Sequence, residues 1–203
     1  RLCKLQACPS KRITLKKKIR KDENGNIIPD RTPKQRKNNT KFTFARYMFA
    51  FIRKRFGDLP VWKIAAAQRG MTDDNLIQST NYKYLDEKGK ILDMEGFQVS
   101  LGPLALPLNL RATRNGTLVS ITWDDPRDEP SAAPTDRMMV GIFYADYRDT
   151  FTLEKETGAT RRDGKCEIIL RDDDGEVCIH PFFARADNTA FSEDKAITLP
   201  DTE

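Results

Sequence analysis

The sequence predicts an α+β chain in three parts: a basic β-hairpin or extended arm over residues 1–38, a helical unit with a short β-excursion over 39–103, and an antiparallel β-sandwich over 104–203. Three patterns carry that expectation. Residues 11–20, KRITLKKKIR, alternate with period two; residues 39–56 repeat apolar side chains at helical spacing; and beyond Leu104 short apolar runs recur between Asn-Gly and Asp-Gly turns. At 203 residues and 38% hydrophobic content the chain can fill a core or two.

In the first part Ile13, Leu15 and Ile19 share one parity, interrupted by Lys17, and Arg12, Thr14, Lys16, Lys18 and Arg20 share the other, as in a half-buried strand. Asn24-Gly25 supplies a tight turn, and Ile27-Ile28 starts a return strand that Pro29 ends. PDRTPKQRKNNT, residues 29–40, reads as an extended arm leading to a helix cap at Asn39 or Thr40. Charge is divided unevenly. Residues 1–55 hold 18 Lys and Arg against 3 Asp and Glu, and the remainder holds 17 against 27. The basic front therefore calls for an anionic partner: nucleic acid, an acidic lipid or glycan surface, or the acidic remainder of a neighbouring copy.

The second part opens with a helix to about Phe56, stopped by Gly57. Its stripe is Phe42, Ala45, Phe49, Ile52 and Phe56, widened by Phe44, Tyr47, Met48 and Phe51. So much aromatic surface suits a helix sandwiched between core layers, or one docking on another subunit. A second helix spans Leu59 to about Arg69, and a third, capped by Thr72, spans Asp73 to Tyr82. Next come a turn at Lys88-Gly89 and a strand at Phe97 to Leu101.

In the third part seven strands are expected, at 106–112, 118–123, 137–144, 151–155, 165–170, 177–186 and 195–199. LNLRATRNGTLVSITWDD resembles the opening strands of a fibronectin type III module, with Trp123 as core tryptophan, and IILRDDDGEVCIHPFFARADN resembles its corner before the sixth strand. Cys178 stands where that family has its corner tyrosine. The resemblance implies a fibronectin type III or immunoglobulin-like sandwich. RTPKQRKNNTKFTFARYMFAFIRKRF, DNLIQSTNYKYL, FQVSLGPL, ITWDD, PTDRMMVGIFY and TGATR, in that order, resemble a domain-of-unknown-function family of Bacteroidota whose members end in such a sandwich. This second likeness implies architecture and brings no activity, cofactor or catalytic residue.

Enzyme signals are weak. The only histidine, His180, shares a strand face with Cys178, and a Cys-His nucleophile pair there is outweighed by burial in a sandwich core. No catalytic residue, cofactor or metal is expected. Cys3, Cys8, Cys166 and Cys178 lack zinc-ligand spacing, and Leu170 fills the first ligand place of the calcium-loop-like DDDGE at 172–176. Cys166 and Cys178 flank that turn symmetrically, which leaves two readings, reduced core thiols or a cross-strand disulfide. NNT and NGT match the glycosylation triplet without a compartment to give them weight.

No apolar run reaches the roughly 18 residues of a membrane span. A start at Arg1 rather than Met leads us to expect an upstream segment, a lost signal peptide among the alternatives. The function expected is that of a non-enzymatic structural or adaptor protein. It would join a surface, filament or virion-associated assembly through Arg12, Lys16, Lys18, Arg20, Arg31, Lys34, Arg36 and Lys37 and through Phe42, Phe44, Tyr47, Phe49 and Phe51. The alternative is sequence-nonspecific nucleic-acid binding by the same arm. Single strands are disfavoured, because the aromatic residues that could stack on bases are assigned to packing. A cell-surface or extracellular setting suits this reading best, with the cytoplasm left open.

Overall fold

The structure, a computed structural model, describes residues 21–25, 32–125, 129–147, 151–171 and 175–201. Outside these lie the expected strand at 11–20 and its return at Ile27-Ile28, with Arg12, Lys16, Lys18, Arg20 and Arg31, and also Asp128 and Asp172 to Asp174. Two units divide the chain, Arg1–Arg36 and Lys37–Glu203. In the first, the expected turn forms: Gly25 takes φ 82° and its N–H donates to the Asp22 carbonyl at 3.0 Å.

Helix α1 spans Pro33–Phe56, so it begins inside the stretch expected to be extended. Thr32 and Gln35 form a reciprocal cap: the Gln35 N–H donates to Thr32 Oγ1 at 3.2 Å and the Thr32 N–H to Gln35 Oε1 at 2.9 Å. Pro33 follows as first helical residue, where its missing N–H costs nothing. Lys34, Arg36 and Lys37 consequently project from helical turns, not from an extended arm. The expected cap residues Asn39 and Thr40 lie within the helix. Gly57, at φ 60°, ends it as a left-handed stop.

Helices α2 (Val61–Gln68) and α3 (Asp73–Asn81) follow. Thr72 caps α3 by accepting from the Asn75 N–H at 3.3 Å, as its sequence signals. The turn at 86–89 is also as expected, with Leu85 and Ile91 bridged across it. Phe97 to Leu101, in contrast, is not a strand. Its backbone is satisfied by side chains: Asn81 bonds Gln98 through both N–H and C=O, and Asp194 Oδ1 accepts from the Val99 and Ser100 N–H groups at 2.9 and 2.8 Å.

Seven strands complete the fold: β1 (Leu108–Asn115), β2 (Leu118–Asp124), β3 (Arg137–Tyr144), β4 (Phe151–Glu154), β5 (Lys165–Ile169), β6 (Val177–Ala184) and β7 (Ile197–Leu199). They form two antiparallel sheets, β1-β2-β5 and β4-β3-β6-β7. The central strands β3 and β6 are buried along almost their whole length. On one face Met138, Val140, Ile142, Val177, Ile179 and Phe183 pack against Val119, Ile121, Trp123 and Ile168 of the three-stranded sheet. On the other, Met139, Phe143, Cys178 and Phe182 join Phe49, Ile52 and Phe56 of α1, Trp62 of α2 and Ile77 of α3 in a second core. The four-stranded sheet is thus the middle layer of three.

Period two explains why both cores need a different side chain at every step along β3 and β6, and a run of apolar residues rather than an alternation results. Gly141 is the exception on β3: a Cβ there would come within 2.9 Å of both Val99 and Phe151. Gly141→Ala should therefore cost about 1–3 kcal/mol by overpacking, read from chemical denaturation.

A second tie joins three of the sequence motifs. Trp123 Nε1 donates to the Arg161 carbonyl at 2.8 Å; Arg161 Nε lies 3.4 Å from Asp136 Oδ2; Arg161 Nη2 donates to the Ala105 carbonyl at 2.7 Å; and its guanidinium sits 4.3 Å over the Phe183 ring. Both charged side chains are fully buried. Burial lowers the Arg161 pKa, opposed by the charge of Asp136. Removing one partner is expected to be worse than removing both: Asp136→Ala should cost about 3–5 kcal/mol, and Asp136→Leu with Arg161→Met should recover most of it. Equal losses in thermal and denaturant unfolding would contradict this account.

The cysteine alternative is also settled. Strand β5 carries Cys166 in one sheet, opposite Ile121, and β6 carries Cys178 in the other, opposite Phe143. They are not hairpin partners, they belong to separate cores, and both are free thiols. The corner before β6 is held from another strand, by Tyr144 of β3, whose hydroxyl accepts from the Arg171 N–H at 3.0 Å.

Candidate interaction surface

Helix α1 has eight basic residues and no acidic one: Lys34, Arg36, Lys37, Lys41, Arg46, Arg53, Lys54 and Arg55. Its buried stripe is Ala45, Met48, Phe49, Ile52 and Phe56, spaced three and four apart. Only one side is covered, so the helix is not sandwiched between layers. Of the five aromatic residues singled out by sequence, Phe49 is core, Phe51 is half-buried against it, and three face outwards. Phe42 and Phe44 are each 42% exposed and Tyr47 69%. Phe42 belongs to the stripe by spacing, yet it is one turn too early to be covered. This corrects the assignment of the helix aromatics to packing.

Several cations already have partners within the chain. Arg53 Nη1 lies 2.6 Å from Asp74 and 3.4 Å from Asp73; Lys37 pairs with Glu87; and Lys41 Nζ stands 4.6 Å over the Tyr82 ring. Arg46 and Lys54 have no ion pair among the described residues. Beside Arg46, α1 and α3 form an open groove of about 370 Å³, lined by Phe42, Arg46, Tyr47, Ala50, Asp74 and Gln78. Its composition is aromatic and guanidinium at the centre, with lysines further along the helix.

The histidine that the sequence singled out lies elsewhere, at the second core. His180 Nδ1 is 2.7 Å from Asp194 Oδ2, and its Nε2 is 3.4 Å from Cys178 Sγ. Thiol, imidazole and carboxylate thus stand in the order of a nucleophilic triad. Their surroundings serve a different purpose. His180 and Cys178 have no exposed surface, Phe143 stacks edge-on against the imidazole at 5.2 Å, and Asp194 holds the Val99-Ser100 backbone with its other oxygen. The cluster clamps the 97–101 segment onto the sheet. Asp194 was not singled out, because nothing in the sequence marks an acid 14 residues past a strand histidine as its partner. Among the described residues, no group of three or more His, Cys, Asp or Glu side chains could hold a metal ion, and no helix is long and apolar enough to cross a membrane.

Burial alone would depress the His180 pKa, but hydrogen bonds to Asp194 and Cys178 and the Asp194 charge outweigh it and raise it from 6.5 to about 9. A pKa raised by folding stabilises most below the unfolded value and is lost as pH rises through the folded one. Stability should accordingly fall by on the order of 3 kcal/mol between pH 6.5 and about 9. His180→Gln should flatten that window. Because His180 is the sole histidine, its ring resonance reports the titration directly; a midpoint near 6.5 would refute the clamp's charge.

No family model matches the chain, and no curated protein matches it significantly.

Proposed function

We propose that this chain is a non-enzymatic structural or adaptor protein that joins a larger assembly through the outward face of α1 and the basic segment before it. The single observation behind this reading is the exposure of Phe42 and Tyr47 beside Arg46, which has no ion pair among the described residues. Protein interfaces concentrate aromatic residues and arginine at their centres and leave lysine to the rim, and α1 has that distribution. An exposed aromatic face on a helix whose other side is already buried has no use in the monomer's own stability.

The strand order supports the finer fold reading. Connections that change sheet after β2, β4 and β5 support a Greek-key sandwich of the fibronectin type III or immunoglobulin-like kind, and the motif order supports a place in the Bacteroidota domain-of-unknown-function family. A surface, filament or virion-associated setting fits the assembly role.

Phe42→Ser with Tyr47→Ser should weaken self-association of the full chain in sedimentation velocity while leaving stability within about 0.5 kcal/mol, as expected of exposed positions. Removing residues 1–31 keeps the Thr32 cap and should weaken association too. A sedimentation profile unchanged by both variants would overturn the reading.

A further inference from the structure

The three-stranded sheet ends at β5, which pairs with β2 on one side only. The Trp123 N–H donates to the Gly164 carbonyl at 3.0 Å and the Leu170 N–H to the Thr117 carbonyl at 2.7 Å, so the even-numbered residues of β5 turn their backbone polar groups towards β2, with Cys166 opposite Ile121 and Ile168 opposite Val119. The N–H and C=O groups of Lys165, Glu167 and Ile169 therefore point to the open edge. No backbone partner stands there among the described residues, and only the Cys166 thiol reaches one of these groups, 3.8 Å from the Glu167 carbonyl.

Side chains alternate along the same strand. Cys166 and Ile168 are buried in the sandwich core, and Lys165, Glu167 and Ile169 are exposed on the outer face, Ile169 by 77%. Neither Lys165 nor Glu167 has an ion pair among the described residues. A lysine alone on a sheet edge deters pairing. An opposite charge two residues further on, on the same face, makes the edge complementary to itself: in an antiparallel pair centred on Cys166, Lys165 of each strand stands opposite Glu167 of the other. Centring the pair one residue either way sets Lys165 or Glu167 opposite itself, so charge selects a single register.

We infer that β5 is a docking edge for a second copy of this chain, the two strands joining antiparallel about a two-fold axis at Cys166. Each Lys165–Glu167 couple exchanges both backbone hydrogen bonds and sets its two charges side by side on the outer face. Ile169 lies diagonally from the partner's Lys165, whose methylene stem covers it. The contact is isologous and continues the sheet from β5 into the β5 of the other copy. It belongs to the three-stranded sheet, whereas α1 packs on the far face of the middle layer, so it stands independently of the reading of α1. A strand of five residues buries little surface, and the dimer is accordingly weak.

Charge exchange tests the register with full chains that carry Phe42→Ser and Tyr47→Ser, which leaves α1 out of the readout. Sedimentation equilibrium up to about 1 mM, the weak end of specific affinities, should show a monomer–dimer equilibrium. Lys165→Glu and Glu167→Lys each place like charges opposite one another and should each weaken dimerisation about tenfold. Both positions are exposed, so neither change touches the core. Mixing the two variants makes both cross-strand pairs complementary again and should give a heterodimer tighter than either homodimer; the double exchange Lys165→Glu/Glu167→Lys should recover dimerisation within one chain, with circular dichroism confirming the fold of each variant. A chain that stays monomeric at the highest concentration overturns the inference. Single variants that dimerise as well as their parent do so too, as does a failure of the mixture and the double exchange to recover association.

Discussion

Everything in the larger unit is organised by the pairing of β3 with β6. These strands run in register from Arg137 opposite Ala184 to Tyr144 opposite Val177, and both of their faces are covered. A half-buried sheet needs only alternate apolar residues; a middle layer needs them at every position, and MMVGIFY and VCIHPFFA supply them. The cost of such a layer is that a charge buried against it needs a partner. Among the described residues two buried charged pairs stand there, Arg161 with Asp136 and His180 with Asp194.

Each pair occurs where a loop must be fastened to the middle layer. Arg161 and Asp136 fasten the β4–β5 connection to the loop before β3, beside Trp123. His180 and Asp194 fasten the 97–101 segment, which has no ladder hydrogen bonds of its own, to β6. In both, one carboxylate serves a cation and backbone N–H groups: Asp136 Oδ2 lies 3.4 Å from Arg161 Nε and accepts from the Ala133 N–H at 2.9 Å, and Asp194 divides the two tasks between Oδ2 and Oδ1. Ion pairs this deep are poor sources of net stability, and their value is in fixing one loop arrangement among several. The thiol of Cys178 beside His180 gives the second clamp the outline of a reactive triad. Its burial against Phe143 and the helices gives it the role of a fastening.

Much of the sandwich could be read from local pattern. Asn115-Gly116 and Asp163-Gly164 mark turns because positive φ is needed there, and all seven strands lie within a few residues of where period and turn chemistry put them. The start of α1 was harder. Thr32-Pro33-Lys34-Gln35 is a capping box with proline at the first helical place, but proline among charges and asparagines reads equally as linker, and the apolar stripe that would reveal the helix begins only at Phe42. Sheet membership was the other obstacle. Cys166 and Cys178 are symmetric about a turn, so a hairpin was the simplest expectation; the chain instead changes sheet at that turn, a decision made by which core β6 completes and not by the turn itself. Asp194 and Asp136 are likewise defined by distant packing, and an acid that serves the backbone of another segment has no local signature.

The same distinction applies to the outward face of α1. Its buried side is specified by spacing, and the tertiary fold decides where cover stops: Ala45 is fully buried, whereas Phe42 and Tyr47 are exposed. Aromatic side chains left uncovered on a soluble surface raise the risk of random association, and cations distributed along the same helix counter it by repelling like copies. The repulsion is selective: it disfavours α1-to-α1 contact and leaves attraction to an acidic surface intact, so in the proposed assembly role charge would choose the partner and Phe42 and Tyr47 would supply the contact energy. A helix that resists its own kind and would adhere to one class of surface has the property that the proposed assembly role needs until the proper neighbour arrives.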